Sequence, residues 1–211
     1  MKIGIIGGTG KFGRELATNL AMVGHDVIIG SRKAEKAVDV VKSIEKHSHI
    51  ELSLKGESNK RATDLSDIVV LSIPYEHMFA TIDEIIEELH QKIIITNIVP
   101  IEKYNGSFYH KPVCDSVADI IQGYVSFDNI IVAAMHTIPA SYLTKADELQ
   151  TFIYTNEEGI LDTIFELFKS INIKPFYCGN LRKSIFAEEM TIFLLNLSIL
   201  NGSKPGSLKV V

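Results

Sequence analysis

The feature that most constrains this chain is Gly7-Gly8-Thr9-Gly10-Lys11-Phe12-Gly13, set directly behind the isoleucine-rich run Lys2–Gly7. Gly8, Gly10 and Gly13 fit G-x-G-x-x-G, and the spacing gives each glycine a separate task. Gly8 is expected to allow the tight turn out of a strand. Gly10 lets the backbone approach a pyrophosphate, and Gly13 lets the next helix pack close on the strand. A helix starting near Lys11 would turn free N–H groups and the positive end of its dipole toward that pyrophosphate. Strand, glycine turn and helix in immediate succession predict a dinucleotide site rather than a turn without a ligand.

The rest of the chain repeats this rhythm. Short β-branched runs at 26–30, 51–54, 67–73, 92–97 and 129–135 alternate with helical periodicity at 11–23, 33–46, 75–90 and 116–122. Strands alternating with helices predict an α/β fold, a Rossmann-type doubly wound and mostly parallel sheet with both faces covered. Beyond residue 141 the pattern weakens. Strands are expected at 151–155 and 174–178, a helix at 157–171, and a last helix at 181–200 that is apolar almost all round from Met190. Such a helix must bury itself under the domain or against a partner chain. The expected division is a dinucleotide-binding domain, 1–141, and a smaller C-terminal α/β region, 142–211, that ends in this helix.

NAD-selective domains usually carry Asp or Glu at the end of the second strand, for the ribose 2′-hydroxyl. Here Gly30-Ser31-Arg32-Lys33 stands there, with Lys36 close behind. A serine hydroxyl and a guanidinium suit a 2′-phosphate through charge-assisted hydrogen bonds, so the predicted nucleotide is NADP. Ser31 also suits a helix N-cap, and both roles can hold together. The ends of the later strands should border the cofactor crevice. They carry Ser72-Ile73-Pro74-Tyr75-Glu76-His77, Asn97-Ile98-Val99-Pro100 and His136-Thr137-Ile138-Pro139-Ala140. The prolines either present apolar surface to the cofactor or simply stop the strands. His77 is placed to touch the cofactor. His136 is the titratable group at the mouth of the sixth expected strand, either a hydrogen-bond or proton donor to an acceptor or a satisfied strand-end histidine.

Composition removes other classes. The net charge is −5, with 26 acidic against 21 basic residues, so no basic footprint for nucleic acid is present. No apolar run approaches the ~20 residues of a membrane span, and the start of the chain lacks a secretory core. Cys114 and Cys178 form neither a C-x-x-C nor a Cys/His cluster, so no metal is expected and a reducing cytoplasm suits the chain. No nucleophile elbow, P-loop lysine or H-E-x-x-H occurs, and hydride transfer needs none of them.

Ile5-Ile6-Gly7-Gly8-Thr9-Gly10, Gly30-Ser31-Arg32, Ile73-Pro74-Tyr75-Glu76-His77 and His136-Thr137-Ile138-Pro139-Ala140, in this order and spacing, resemble the coenzyme F420-dependent NADP reductases. The resemblance runs over essentially the whole chain and implies reversible hydride exchange between the reduced deazaflavin F420 and NADP. It implies the pyrophosphate on Thr9–Phe12, the 2′-phosphate on Ser31, Arg32 and Lys36, and nicotinamide contacts near Ile73, Val99 and Ala140. It implies the deazaflavin against His136 and Ile138, near Thr191 and Asn196, and a homodimer formed through the C-terminal region. The last helix departs from that pattern, with Ile185 at an arginine position, Glu189 at a serine and Ile192 at a proline. Two other functions fit the same residues. One is an NADPH-dependent reductase of a flavin, ferric complex or imine, and the other is a non-catalytic NADP-binding sensor.

Overall fold

The computed structural model describes residues 1–48, 50–111, 113–144 and 148–211. β1 (Lys2–Ile6) leads into α1 (Lys11–Met22), β2 (Asp26–Ser31), α2 (Ala34–Glu45), β3 (Leu54–Ser58) and α3 (Asn59–Asp64). β4 (Ile68–Leu71), α4 (Met78–Ile85) and β5 (Ile93–Thr96) follow. The hairpin β6 (Ile101–Tyr104) and β7 (Ser107–His110) precedes α5 (Val117–Tyr124) and β8 (Ile130–Ala133). The chain ends with β9 (Leu149–Tyr154), α6 (Leu161–Ser170), β10 (Ile173–Gly179) and α7 (Ile185–Leu200).

Eight strands form one sheet in the order β10-β9-β8-β5-β4-β1-β2-β3. All neighbours are parallel except β8 and β9, which meet antiparallel at Ala133 and Tyr154. Winding runs outward from β1 to β3, then resumes on the other side at β4, so the switch point lies between β1 and β4. One face packs under α1, α2 and α6 through Leu16, Leu20, Val41, Ile44, Ile164 and Phe168. The other packs under α4 and α5 through Met78, Ile82, Ile85, Val117 and Ile121. β4 is aliphatic throughout, and β1 and β5 are isoleucine-rich, because each is covered on both sides.

Three local features depart from expectation. The third strand lies at Leu54–Ser58 instead of 51–54. It is an edge strand and carries Lys55 and Glu57, so its polarity hides it from a hydrophobic pattern. α3 is six polar-rich residues, too short for periodicity to reveal. The hairpin β6–β7 turns on Asn105 and Gly106, both at positive φ (47° and 82°), and this Asn-Gly pair is the sequence mark that could have found it. α7 is buried on one side only. Phe186, Met190, Phe193, Leu197 and Leu200 form an exposed stripe along the other.

Candidate functional site

The glycine turn is built differently from its motif reading. Gly7, not Gly8, makes the left-handed turn (φ +83°), and a Cβ there would lie 2.2 Å from the Ser72 carbonyl oxygen. Gly8 is buried, and a Cβ on it would meet the Ile5 carbonyl at 2.8 Å. Gly13 has its expected role, since a Cβ would stand 2.7 Å from Gly8 Cα. Gly10 caps α1 in extended conformation, with no side-chain cap and no acidic residue in the first turn. The first N–H groups of α1 therefore point at the crevice without a partner of their own, as an anion site requires.

A cleft of about 670 Å³ opens beside this turn, lined by Thr9, Gly10, Ser31, Arg32, Lys36, Ile73, Pro74 and His77. Gly7, Lys33 and Ser72, which lie within the same sequence motifs, also line it, as do Asn59 and Thr81, which the sequence did not single out. Ser31 is buried, and its Oγ accepts the Lys33 N–H at 3.3 Å. Among the described residues no carboxylate lines this cleft, and none pairs with Arg32, Lys33 or Lys36. Three cations are thus gathered with no internal counter-ion, which fits a phosphomonoester.

The crevice continues across the sheet ends. A second cavity of about 380 Å³ shares Gly10, Ser72, Ile73 and Pro74 with the first and adds Lys11, Phe12, Gly13, Val99, His136, Ile138 and Thr191. A third, of about 340 Å³, shares Lys11, His136, Ile138 and Thr191 and reaches Ala140, Leu194, Leu195, Pro205 and Gly206. The tail residues Pro205 and Gly206 were not foreseen, because they are carried there by tertiary contacts of the tail, the bonds of Val210 to the Gln150 side chain and the Lys209–Glu148 ion pair. Gly8 lies behind the turn and does not line the crevice. Asn196 does not line it either, since its amide donates to Phe108 O and accepts from Phe108 N, both at 2.8 Å. Ile185, Glu189 and Ile192 also lie outside the lining, with Glu189 exposed.

His136 is aimed by the end of β8. Met135 takes a left-handed conformation (φ 62°) that costs a non-glycine residue about 1–3 kcal/mol. Its N–H donates to Thr151 Oγ1 at 2.7 Å. The His136 carbonyl in turn accepts from Thr191 Oγ1 at 2.9 Å, sharing that hydroxyl's one proton with the Ala187 carbonyl at 2.8 Å. The His136 ring is buried, and neither Nδ1 nor Nε2 has a hydrogen-bond partner. Burial holds its pKa down at about 4, so the imidazole is neutral at physiological pH. Two partnerless nitrogens at the wall of a cavity fit a site built for a polar ligand edge. The uncapped α1, the unpaired cations and this ring together fit a phosphorylated dinucleotide with a second, largely apolar ring system beside it.

The family model for NADP oxidoreductase, coenzyme F420-dependent, matches residues 2–100. The F420-dependent NADP reductase of Methanocaldococcus jannaschii is 34% identical, with 100% of this chain and 98% of that protein covered. Its counterpart from Methanothermobacter marburgensis is 31% identical over 100% of this chain and 98% of its own. Among solved structures, an Arthrobacter sp. FB24 protein described as an F420-dependent NADP reductase superposes with a TM-score of 0.86. It is 22% identical and covers 100% of this chain and 99% of its own.

Proposed function

We propose how this crevice works from one premise: the chain belongs to the F420-dependent NADP reductase family, as an oxidoreductase that passes a hydride between coenzyme F420 and NADP. Residues 1–141 hold NADP, and 142–211 close the acceptor side. The N–H groups from Thr9 to Phe12 take the pyrophosphate, while Ser31, Arg32 and Lys36 take the 2′-phosphate. Pro74 and His77 border the adenosine half. Ile73, Val99, Ile138 and Ala140 present apolar surface to the rings and exclude water, which holds donor and acceptor in reacting geometry. Bound together, the two cofactors supply the two-electron chemistry between nicotinamide and deazaflavin. His136, neutral in its buried setting, offers one donor and one acceptor to the polar edge of the acceptor ring. Thr191 fixes the His136 main chain from α7.

The observation that carries this reading is the continuity of the crevice, from three unpaired cations at one end to a partnerless imidazole at the other. The test is anaerobic mixing of the purified protein with reduced F420 and either NADP⁺ or NAD⁺, followed by deazaflavin absorbance. Rapid turnover with NADP⁺ and slow turnover with NAD⁺ are expected. Silence with F420, combined with NADPH oxidation by a flavin, ferric complex or imine, would replace F420 with another acceptor.

Two finer points belong to the same reading. The exposed stripe Phe186, Met190, Phe193, Leu197 and Leu200 is spaced 4, 3, 4 and 3 residues apart, the seam of a packed helix pair, and supports a homodimer through α7. Cys114 and Cys178 are free thiols, and no described helix is long and apolar enough to cross a membrane. These features, with small-molecule rather than nucleic-acid partners, suit the cytoplasm.

A further inference from the structure

The start of α7 carries a titratable pair outside the crevice. Glu188 is fully buried, with Oε1 accepting the Val117 N–H at the N-terminus of α5 at 2.8 Å. Its Oε2 lies 3.2 Å from His110 Nε2 on β7. His110 Nδ1 lies 2.8 Å from the Lys111 carbonyl oxygen. A carbonyl only accepts, so Nδ1 must carry a hydrogen. The contact between Nε2 and Oε2 then needs a second hydrogen, borne either by the imidazole or by the carboxyl. Without it, two lone pairs would face each other in a buried contact. Burial pushes the Glu188 carboxyl well above the usual carboxylate range, which agrees with a retained proton.

We propose that Glu188 and His110 hold one buried proton between them, and that this pair is a positioning device for the acceptor half of the site. α7 is tied to β7 at two points, by Glu188 on His110 and by Asn196 on the Phe108 backbone. Thr191, whose hydroxyl holds the His136 carbonyl, lies between them, one helical turn beyond Glu188. Release of the proton to solvent leaves a net negative charge in a closed junction, and that charge must be relieved by parting α7 from the hairpin. Thr191 and the His136 loop then lose their placement. The charged groups around the pair do not replace the proton. Glu189 follows on the same helix and opposes the negative charge, Lys111 is engaged with Glu76 at 2.8 Å, and Arg182 is engaged with Asp119 at 3.2 Å and lies 3.9 Å from Asp115. NADP binding at Ser31 and Arg32, at the far end of the crevice, stays independent of the pair.

This inference rests on the proposed reading of the acceptor half. The test compares wild type, Glu188→Gln and Glu188→Ala by kcat with reduced F420, by Kd for NADP⁺, and by urea unfolding, each across pH. In Glu188→Gln the new amide can accept from the Val117 N–H and donate to His110 Nε2 with no titrating proton. The wild type is expected to lose kcat on an alkaline limb while its NADP⁺ Kd stays level. The Gln variant lacks that limb and recovers most of what the Ala variant loses, a ten- to hundredfold drop of the size a misplaced reacting group produces. Above about pH 6.5 an unfolded chain has released both protons while the native pair keeps one, so wild-type folding constants should fall by up to about tenfold per pH unit there. The Gln variant should not show that fall. Identical pH profiles of kcat and of stability in wild type and Glu188→Gln would overturn the inference and leave the F420 reading intact. Absence of any F420 turnover with NADP⁺ still bound would overturn that reading instead, and the unfolding data would still decide the shared proton.

Discussion

Truncating Arg32 to alanine is the sharpest probe of the cation-lined end of the crevice, where the 2′-phosphate is proposed to bind. Arg32, Lys33 and Lys36 line the same cleft and have no carboxylate partners among the described residues, so a bound phosphate breaks no existing ion pair. A hydrogen bond to a charged group contributes about 1.5–3 kcal/mol. Arg32 is exposed, and solvent screening pulls its share to the bottom of that range. About 1.4 kcal/mol is a factor of ten, so Arg32→Ala should weaken NADP⁺ roughly tenfold. Lys36 remains in the variant, and removing it as well should bring the loss to about a hundredfold. NAD⁺ has no 2′-phosphate, and its affinity should change by less than about twofold in either variant. Calorimetric titration of both nucleotides at low and high salt reads all of this. Ionic screening sets in within about 8 Å at physiological salt, so the NADP⁺ preference itself should shrink as salt rises. Equal losses for the two nucleotides, or a preference that ignores salt, would refute the assignment of the 2′-phosphate to Ser31 and Arg32.

Two further outcomes are expected. Phe193→Glu places a charge in the middle of the exposed α7 stripe and should convert a dimer to a monomer in sedimentation, and a wild type that is already monomeric would remove the proposed interface. His136 is held at about 4 in the fold against about 6.5 unfolded, so between those values the unfolded chain binds more protons and the fold loses stability as pH falls. Relative to His136→Gln, the wild type should lose roughly 3 kcal/mol between pH 6.5 and 4 in urea unfolding, and parallel curves would show that the ring is not buried neutral.

Much of the cation-lined half of the crevice was legible in the sequence, because its parts are consecutive. Strand, glycine turn and helix occupy residues 2–22, and Ser31 and Arg32 sit where the second strand must end. Local sterics and a short loop suffice to bring such groups together. Even here the motif misplaced one task, since the left-handed turn falls on Gly7, whose neighbour Ser72 comes from the end of β4. The half around His136 was legible only in outline. His136, Ile138 and Thr191 do border one cavity, but Asn196 is engaged by a hairpin that neither length nor hydrophobicity announced.

Residue order alone determined the alternating layers, the placement of the glycine turn and the sign of the charge beside it, since each follows from periodicity, missing side chains and chain neighbours. Tertiary structure alone decided what His136 lacks, where the tail lies and which carboxyl shares a proton with His110. Those properties depend on burial and on partners 50 to 80 residues away in sequence, such as Thr191 for His136, Val210 for Gln150 and Glu188 for His110. No local pattern encodes the desolvation of a group by segments that reach it only after folding.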